Sequence, residues 1–216
     1  MPLSEKERQE INTLVARFEA DTGIQAVAAV IGKADAYPEI PWKAYALGSA
    51  LGALGLAADP GLLPQWAQTH IAAFHAMAIL GCGAVFSVIA AFVPPIGRLF
   101  LNRLRAQGEA RQYAQALFLE RELFRTAERC GVLLLVSEFE RAVVILPDRG
   151  LAAVCRAADL DRAIAAMRPL LARGRTVAAF EAAFGSLKIQ LSGSGGPFNR
   201  SQNNELPDGV VVESGP

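Results

Sequence analysis

Residues 129–150 read RCGVLLLVSEFERAVVILPDRG, a pattern that predicts two short strands joined by a tight turn. The first apolar run is Val132–Val136, directly after Gly131, and the second is Ala142–Leu146. The five residues between them, Ser137–Arg141, are mostly polar and are few enough to form a hairpin loop. We therefore predict a β-hairpin over these residues.

A third strand is predicted far upstream. Ile24–Ile31 reads IQAVAAVI, an almost continuous apolar run that is typical of a strand covered on both faces. A long crossover separates it from the strand at Val132, so the two should pair in parallel. Helical patterns precede the first strand and also run from about Arg98 to Glu128, ahead of the hairpin. Two more follow the hairpin, from about Asp161 to Arg173 and from Thr176 to Leu191. The predicted fold class is α/β, with a small mixed sheet flanked by helices.

The crossover contains two apolar runs. Trp42–Ala58 carries no charge after Lys43, and Ile71–Val93 has 23 residues without Asp, Glu, Lys or Arg. A helix rises about 1.5 Å per residue and the hydrocarbon core of a bilayer is about 30 Å thick, so roughly 20 apolar residues span it. We predict a transmembrane hairpin with spans at about 42–58 and 71–93, inserted in the first strand-to-strand crossover.

These elements predict four segments. Residues 1–41 form the first half of the α/β domain, 42–101 the transmembrane hairpin, and 102–192 the second half. Residues 193–216 are rich in Gly, Ser, Asn and Pro and are expected to be disordered. A crossover tolerates such an insertion because the entropic cost of closing a loop grows only slowly with its length.

The distribution of basic residues predicts the orientation of the hairpin. The connector, Asp59–His70, contains no Lys or Arg. The flanks of the two runs carry Lys33, Lys43, Arg98, Arg103, Arg105 and Arg111. Cytoplasmic flanks are enriched in Lys and Arg, so both termini are expected in the cytoplasm of a bacterium, with the hairpin in the inner (plasma) membrane. The N-terminal residues show no cleavable signal peptide.

Composition narrows the partners and the compartment. Lys plus Arg and Asp plus Glu both number 21, and no basic motif is present, so we expect no nucleic-acid partner. The three cysteines are scattered, which favours a reducing compartment. The lipid bilayer and a protein partner at the membrane are the expected partners. The small-residue face at Gly48 and Gly52 should pack against Gly81 and Gly83 within the hairpin, and homo-oligomerisation through that face is the alternative.

Two groups of polar residues are candidate sites, one at each end of the predicted sheet. The candidate catalytic group, expected to face the cytosol, consists of Asp21, Arg129 and Asp148, with Arg149 as a binding residue. Its arginines could bind phosphate while a carboxylate assists. The group expected near the membrane could bind a ligand or partner and consists of Lys33, Asp35, Ser137, Glu138, Glu140 and Arg141. Ordinary turn residues, caps and solvent-screened ion pairs explain both groups without any ligand and are the commoner outcome.

The residues from Arg111 to Gly150 carry a family likeness. A helix followed by RxGVLLLVS, then Glu140-Arg141 and finally Asp-Arg-Gly resembles the TPM domain. Asn204–Asp208 is similar to the C-terminal end of bacterial members. This family includes a thylakoid acid phosphatase, a photosystem II repair factor and many bacterial membrane proteins. The resemblance implies a TPM-like fold for the N-terminal helix and strand and for the chain from about residue 105 onward.

The same resemblance weakens an enzymatic interpretation. Members credited with phosphatase activity or calcium binding usually carry an Asp-Asn pair before the Gly-Val of the central strand, where this chain has Arg129 and Cys130. They also usually have a Gly-rich turn after the third strand, where this chain has Pro147–Gly150. A hard cation needs several oxygen ligands, so we expect no metal or other cofactor, with a divalent cation such as calcium as the alternative.

Three functions are consistent with the sequence. The leading hypothesis is a non-enzymatic binding, assembly or quality-control module at the cytoplasmic face of the membrane. The alternative is a phosphomonoesterase that uses Asp21 or Asp148 with Arg129. A third is a transport element built around His75 by several copies of the chain.

Overall fold

A computed structural model of the protein describes residues 3–58, 70–126, 129–193 and 209–215. The described strands are β1 (Gln25–Ile31), β2 (Gly131–Ser137), β3 (Ala142–Pro147) and β4 (Val211–Glu213). The described helices are α1 (Glu5–Thr22), α2 (Glu39–Ala58), α3 (Ile71–Phe92), α4 (Pro94–Gly97), α5 (Arg103–Glu120), α6 (Arg149–Val154), α7 (Ala157–Leu171) and α8 (Thr176–Gly193). The chain divides into two compact units, one of residues 36–105 and one of the residues before and after it.

The larger unit contains a mixed sheet with the strand order β3-β2-β1-β4. β1 pairs in parallel with β2, from Gln25 opposite Gly131 to Ile31 opposite Ser137. β2 pairs with β3 in antiparallel orientation, and β4 pairs with β1 in parallel. The predicted fold class, a small mixed α/β sheet flanked by helices, is therefore confirmed, and so is the parallel pairing of the first two strands.

Both faces of the two central strands are covered by helices. One face of β1, which includes Ala28 and Val30, packs in a core with residues of α1, α7 and α8 such as Phe18 and Phe180. The other face, which includes Ala29, packs with residues of α5 such as Leu117. Strand residues alternate between faces, so a strand covered on both must be apolar at every position. This is why both central strands are continuous apolar runs.

The helix predicted from about Arg98 to Glu128 is shorter in the structure. The side chain of Asn102 accepts a hydrogen bond from the backbone N–H of Leu104 at 2.9 Å, so α5 begins only after this cap. Glu122 has a φ of 51°, which ends the helical path two residues beyond α5. Two short 3₁₀ turns, Arg98–Phe100 and Leu123–Arg125, occupy the rest of the predicted range that the structure describes.

The predicted disordered tail contains a strand. Residues 194–208 lie outside the described residues, but β4 pairs with the last three residues of β1. The backbone N–H of Gly32 donates to the carbonyl oxygen of Glu213 at 2.9 Å, which extends this pairing past the end of β1. The prediction of disorder is therefore wrong for residues 211–213, because long-range pairing orders a segment that has little local preference for a strand.

In the unit of residues 36–105, α2 and α3 pack against each other through glycines. A Cβ atom at Gly48 would lie 2.7 Å from the carbonyl oxygen of Cys82, and one at Gly83 would lie 2.3 Å from the hydroxyl of Ser49. The predicted packing within the hairpin therefore involves Gly48 and Gly83. It does not involve Gly81, whose Cβ position has no atom within 4 Å.

Among the helices in the described ranges, α3 alone is long and apolar enough to cross a membrane. It has 22 residues, and in its most apolar stretch of 18 residues 6% are buried. α2 fails the same test because it begins with Glu39 and carries Lys43, and because its remaining residues are largely Gly, Ala and Ser. The prediction of two membrane spans is thus supported for the second span only. The connector at residues 59–69 lies outside the described residues.

Replacing Gly48 by Ala should lower the stability of the helix pair. Ala is the better helix former by about 1 kcal/mol, yet its methyl group would meet the backbone of α3 at 2.7 Å. The matched control is Gly55→Ala on the same helix, where the Cβ position has no neighbour within 4 Å. We expect a lower midpoint of thermal unfolding for Gly48→Ala and an unchanged or higher one for Gly55→Ala. Equal shifts would contradict the packing.

Candidate functional site

The register of β1 and β2 sorts the predicted site residues into two clusters at opposite ends of the sheet. Gln25 pairs with Gly131, which places Arg129 at the end where the parallel strands begin. β3 runs antiparallel and ends there, so Asp148 lies at the same end. We call Asp21, Arg129, Asp148 and Arg149 the amino-end cluster. The carboxyl-end cluster lies at the last β1–β2 pair and beyond it, and consists of Lys33, Asp35, Ser137, Glu138, Glu140 and Arg141.

Asp148 is the most buried member of the amino-end cluster, with 5% of its surface exposed. One carboxylate oxygen accepts the backbone N–H of Arg149 at 2.7 Å, which caps α6. The other oxygen lies 3.0 Å from Nε of Arg129. The guanidinium of Arg129 lies 5.9 Å from the centre of the Phe124 ring. Asp148 therefore ties the end of β3 to the residues that precede β2.

Asp21 has a different partner from the one predicted. Its carboxylate lies 2.6 Å from Nζ of Lys188, so this pair joins the last turn of α1 to α8. Arg149 contributes a backbone donor to Asp148. The predicted residues Asp148 and Arg129 thus form an ion pair with each other, whereas Asp21 forms one with Lys188, which was not among the predicted residues.

The chemistry open to the amino-end cluster follows from this pairing. The carboxylate of Asp148 is buried, which leaves a substrate little access to it. Its Oδ1 accepts the backbone N–H of Arg149, whereas Oδ2 has the ion pair with Arg129 but no aligned hydrogen-bond donor among the described residues. The side chain of Arg129 is 48% exposed, so its solvent-facing N–H groups could still contact an anion. The cluster fits a structural bridge that presents one guanidinium better than it fits an acid–base pair.

At the carboxyl end, the hairpin turn is tied to the loop after β1. The buried hydroxyl of Ser137 donates to Oε2 of Glu140. Oε1 of Glu140 accepts the backbone N–H of Ala34 at 2.8 Å. The backbone N–H groups of Glu138 and Phe139 donate to the carbonyl oxygens of Ile31 and Gly32, both at 2.9 Å. The polar residues of this turn therefore satisfy one another and the end of β1.

Three side-chain contacts at this end of the larger unit were not predicted. Nζ of Lys33 lies 5.2 Å from the centre of the Phe139 ring, a cation–π contact. Further along the sheet edge, the hydroxyl of Tyr113 donates to the carboxylate of Glu213, and Arg121 lies 4.0 Å from the same carboxylate. Tyr113 and Glu213 are 100 residues apart, and Glu213 lies in the predicted disordered tail, so no local pattern could have joined them.

The environment of Tyr113 changes its acidity. Burial raises the pKa of Tyr113 to about 12, and the hydrogen bond to Glu213 and the charges of Glu213 and Glu120 act in the same direction. Each of these influences disfavours a phenolate, which would bring a second negative charge beside the carboxylate. The phenol should therefore stay protonated and donate to Glu213 throughout the physiological range.

Within the described ranges, no group of three or more His, Cys, Asp or Glu residues is placed to hold a metal ion. The predictions about cofactors and about nucleic-acid, protein and lipid partners stay predictions.

Comparisons with known proteins show which family the second part of the chain resembles. The TPM domain family model matches residues 99–189, which contain β2, β3 and α5 to α7 and most of α8. The resemblance to the TPM domain predicted from the sequence is confirmed for that range. The central strand β1 lies outside it and completes the sheet from the N-terminal part of the chain.

A solved structure shares the whole fold. It is the NMR structure of the BA42 protein from the psychrophilic bacterium Bizionia argentinensis, with 12% sequence identity and a TM-score of 0.57. The similarity covers 97% of this chain and 94% of that one. At this identity the comparison shows the fold alone. None of the curated proteins compared matches the chain.

The phenol of Tyr113 should titrate at about pH 12, above the ordinary value of 10.0. Folding raises this pKa, so the stability that the neutral phenol contributes is complete below about pH 10 and is lost as the pH rises toward 12. Ultraviolet titration of the folded chain should show one late tyrosine that disappears in Tyr113→Phe. The variant should also lose stability less steeply above pH 10. An unchanged titration curve in Tyr113→Phe would refute the assignment.

Proposed function

We propose that the protein is a membrane-anchored TPM-type domain that acts as a binding, assembly or quality-control module at the cytoplasmic face of a bacterial inner membrane. The observation that carries the proposal is α3, a 22-residue apolar helix of which almost nothing is buried. The match to the TPM family model supports a TPM-type domain, and the exposed apolar side chains of α3 support a membrane anchor.

The exposed side chains of α3 are large and apolar. Met77, Leu80 and Val88 are each more than half exposed, and Phe92 is 81% exposed. A soluble monomer rarely presents a contiguous apolar surface of this kind to water, because each such side chain gains free energy on leaving it. A lipid environment would cover this surface without any rearrangement of the helix.

The connectivity of the sheet supports a second crossing through α2. β1 precedes residues 36–105 and β2 follows them, and the two strands are hydrogen-bonded neighbours in one sheet. One sheet lies on one side of a membrane, so a chain that crosses through α3 must also cross back between its exit from β1 and its return to β2. The 20 residues of α2 would span about 30 Å as a helix, and Lys43 near its start can extend toward the headgroups.

The proposal assigns the domain to the cytoplasmic side from the charges beside the hairpin. Lys43 precedes the apolar part of α2, and Arg98, Arg103 and Arg105 follow α3, whereas the connector at residues 59–69 has no basic residue. The positive-inside bias then favours a cytoplasmic location for both flanks and for the domain that they join.

The binding role follows from the pairing in the two clusters. At the amino end, Asp148 accepts one backbone hydrogen bond and forms an ion pair with Arg129, and Asp21 forms an ion pair with Lys188. At the carboxyl end, Ser137 and Glu140 satisfy each other and the loop after β1. Carboxylates held in this way favour a preformed surface over an acid–base site, and Arg129 is the exposed cation that such a surface could offer a partner.

Charges on the exposed face of α3 should prevent membrane insertion. A charge at the centre of a spanning helix costs about 2.5–3.5 kcal/mol, so Leu80→Arg combined with Val85→Arg should remove the chain from the membrane fraction. Both side chains are 56% exposed. The matched control is Leu119→Arg, a similarly exposed leucine on α5, which should stay membrane-bound like the wild type. Sedimentation after carbonate washing measures the difference. A wild-type chain that stays in the supernatant without detergent would overturn the proposal.

The phosphomonoesterase alternative makes an opposite prediction for activity. If Asp148 or Asp21 acted with Arg129, the purified chain would hydrolyse a generic phosphomonoester, and Asp148→Asn or Arg129→Ala would abolish this turnover. From the pairing at the amino end we expect no turnover above a buffer control, with or without added divalent cations. Arg162→Gln, which removes the cation of an exposed ion pair outside the cluster, serves as the control. Turnover that these changes at Asp148 or Arg129 remove would favour the enzyme.

A further inference from the structure

Within residues 36–58 and 70–105, the most exposed large apolar side chains lie at one end of the helix pair, which we call its base. Trp42 at the start of α2 is 72% exposed, and Phe92 at the end of α3 is 81% exposed. Leu99 and Leu104, in the segment that follows α3, are both 80% exposed. The cations Lys43, Arg98 and Arg103 lie between these residues in the sequence. We call these seven residues the basal collar.

Contacts within this unit bring the two parts of the collar together. Nζ of Lys43, next to Trp42, donates to the carbonyl oxygen of Phe100 at 3.1 Å. Arg105 lies 2.9 Å from the carboxylate of Glu39, at the start of α2. The start of α2 and the segment after α3 are thus joined by two polar contacts, so the exposed apolar groups and the cations share one end of the helix pair.

The collar has an excess of positive charge. Among residues 36–58 and 70–105, Glu39 is the one acidic residue, against the four basic residues Lys43, Arg98, Arg103 and Arg105. Glu39 forms an ion pair with Arg105. The carboxylate therefore offsets the charge of an arginine that is not part of the collar, and the three collar cations add to a net positive surface.

We propose that the basal collar binds the headgroups of anionic phospholipids. The inference rests on the proposed membrane anchor and adds to it the chemistry of the lipid. Trp is enriched where the apolar core of a bilayer meets water, and Arg matches phosphate oxygens with paired N–H donors. Each Lys or Arg near an anionic leaflet strengthens the association about fivefold. The occupant combines an acyl chain, which covers Trp42, Phe92, Leu99 and Leu104, with a negatively charged headgroup that meets the cations.

The composition of the collar favours lipid over an acidic protein partner. Its apolar side chains alternate along the chain with basic ones, as in Arg98-Leu99 and Arg103-Leu104. These residues follow the apolar helix α3 after the short helix α4. An acidic protein surface would neutralise the cations, but it would not cover highly exposed leucine side chains beside them. A single phospholipid satisfies both requirements at once.

Trp42 provides a reporter within the collar. The chain has two tryptophans, and Trp66→Phe leaves Trp42 as the only source of indole fluorescence. The full-length chain is reconstituted in two kinds of vesicle with the same ratio of phosphatidylglycerol to phosphatidylcholine. In one kind only the phosphatidylglycerol carries brominated acyl chains, and in the other only the phosphatidylcholine does. Bromine quenches indole at short range, so the ratio of quenching measures which headgroup is enriched beside Trp42.

We expect stronger quenching by brominated phosphatidylglycerol, and a decrease of this preference with rising salt. The double variant Arg98→Gln with Arg103→Gln should reduce the preference by about fivefold for each cation removed. The control pair Arg168→Gln with Arg173→Gln, at the end of α7 and just after it, should keep the full preference. Circular dichroism of both double variants shows whether the fold is retained.

The outcomes separate this inference from the membrane anchor itself. Equal quenching by the two brominated lipids would overturn the headgroup preference and leave the anchor standing. A preference that survives the Arg98 and Arg103 replacements would overturn the assignment to the collar. No quenching by either lipid would overturn both proposals, because Trp42 would then lie outside the bilayer.

Discussion

The parallel pairing of β1 with β2 is the constraint on which the rest of the structure depends. Gln25 is opposite Gly131, so the two strands meet although the whole unit of residues 36–105 separates them in sequence. Both strands are buried on both faces, and the helices on either side pack against them. Loss of this pairing would remove the strand surfaces against which the helices of both cores pack. It would also separate the N-terminal strand from the residues that match the TPM domain.

The paired strands can accommodate the inserted unit of residues 36–105 at a small cost in free energy. The entropic cost of closing a loop rises by only about 0.6 kcal/mol for each doubling of its length, so the sheet loses little by carrying a helix pair in its crossover. The pairing of β1 with β2 also restricts the path that the helix pair α2–α3 can take. If α3 crosses a membrane as proposed, a crossover that leaves and re-enters one sheet must also cross back, and α2 is the helix proposed for the return path. α2 has weak apolar character of its own, and its glycine face against α3 supplies packing in place of hydrophobicity.

The features that the sequence could predict are those encoded in local patterns. The apolar runs of β1 and β2 require burial on both faces, and the polar turn at 137–141 separates β2 from β3. The remaining features depend on distant partners. β4 has three residues and is ordered by pairing with β1, and the contact of Tyr113 with Glu213 joins residues 100 positions apart. Hydrophobic periodicity contains no information about such side-chain partners.

The contacts of the predicted site residues also depend on distant partners. Charged residues at the same end of a sheet were grouped by position, whereas the fold distributes them by contact, so Asp21 pairs with α8 and Arg129 with the cap of α6.

Residues 129–130, where the family resemblance implies an Asp-Asn pair in members that bind calcium, are used structurally here. The backbone N–H of Cys130 donates to the hydroxyl of Thr126 at 3.1 Å, and the Cys130 side chain is buried. The guanidinium of Arg129 forms an ion pair with Asp148, a carboxylate that a cation site at this position would need as an oxygen ligand. A cation bound at this end would face an arginine in place of an oxygen donor. This end of the sheet therefore carries a cationic side chain and a buried thiol where the resemblance implies two oxygen ligands.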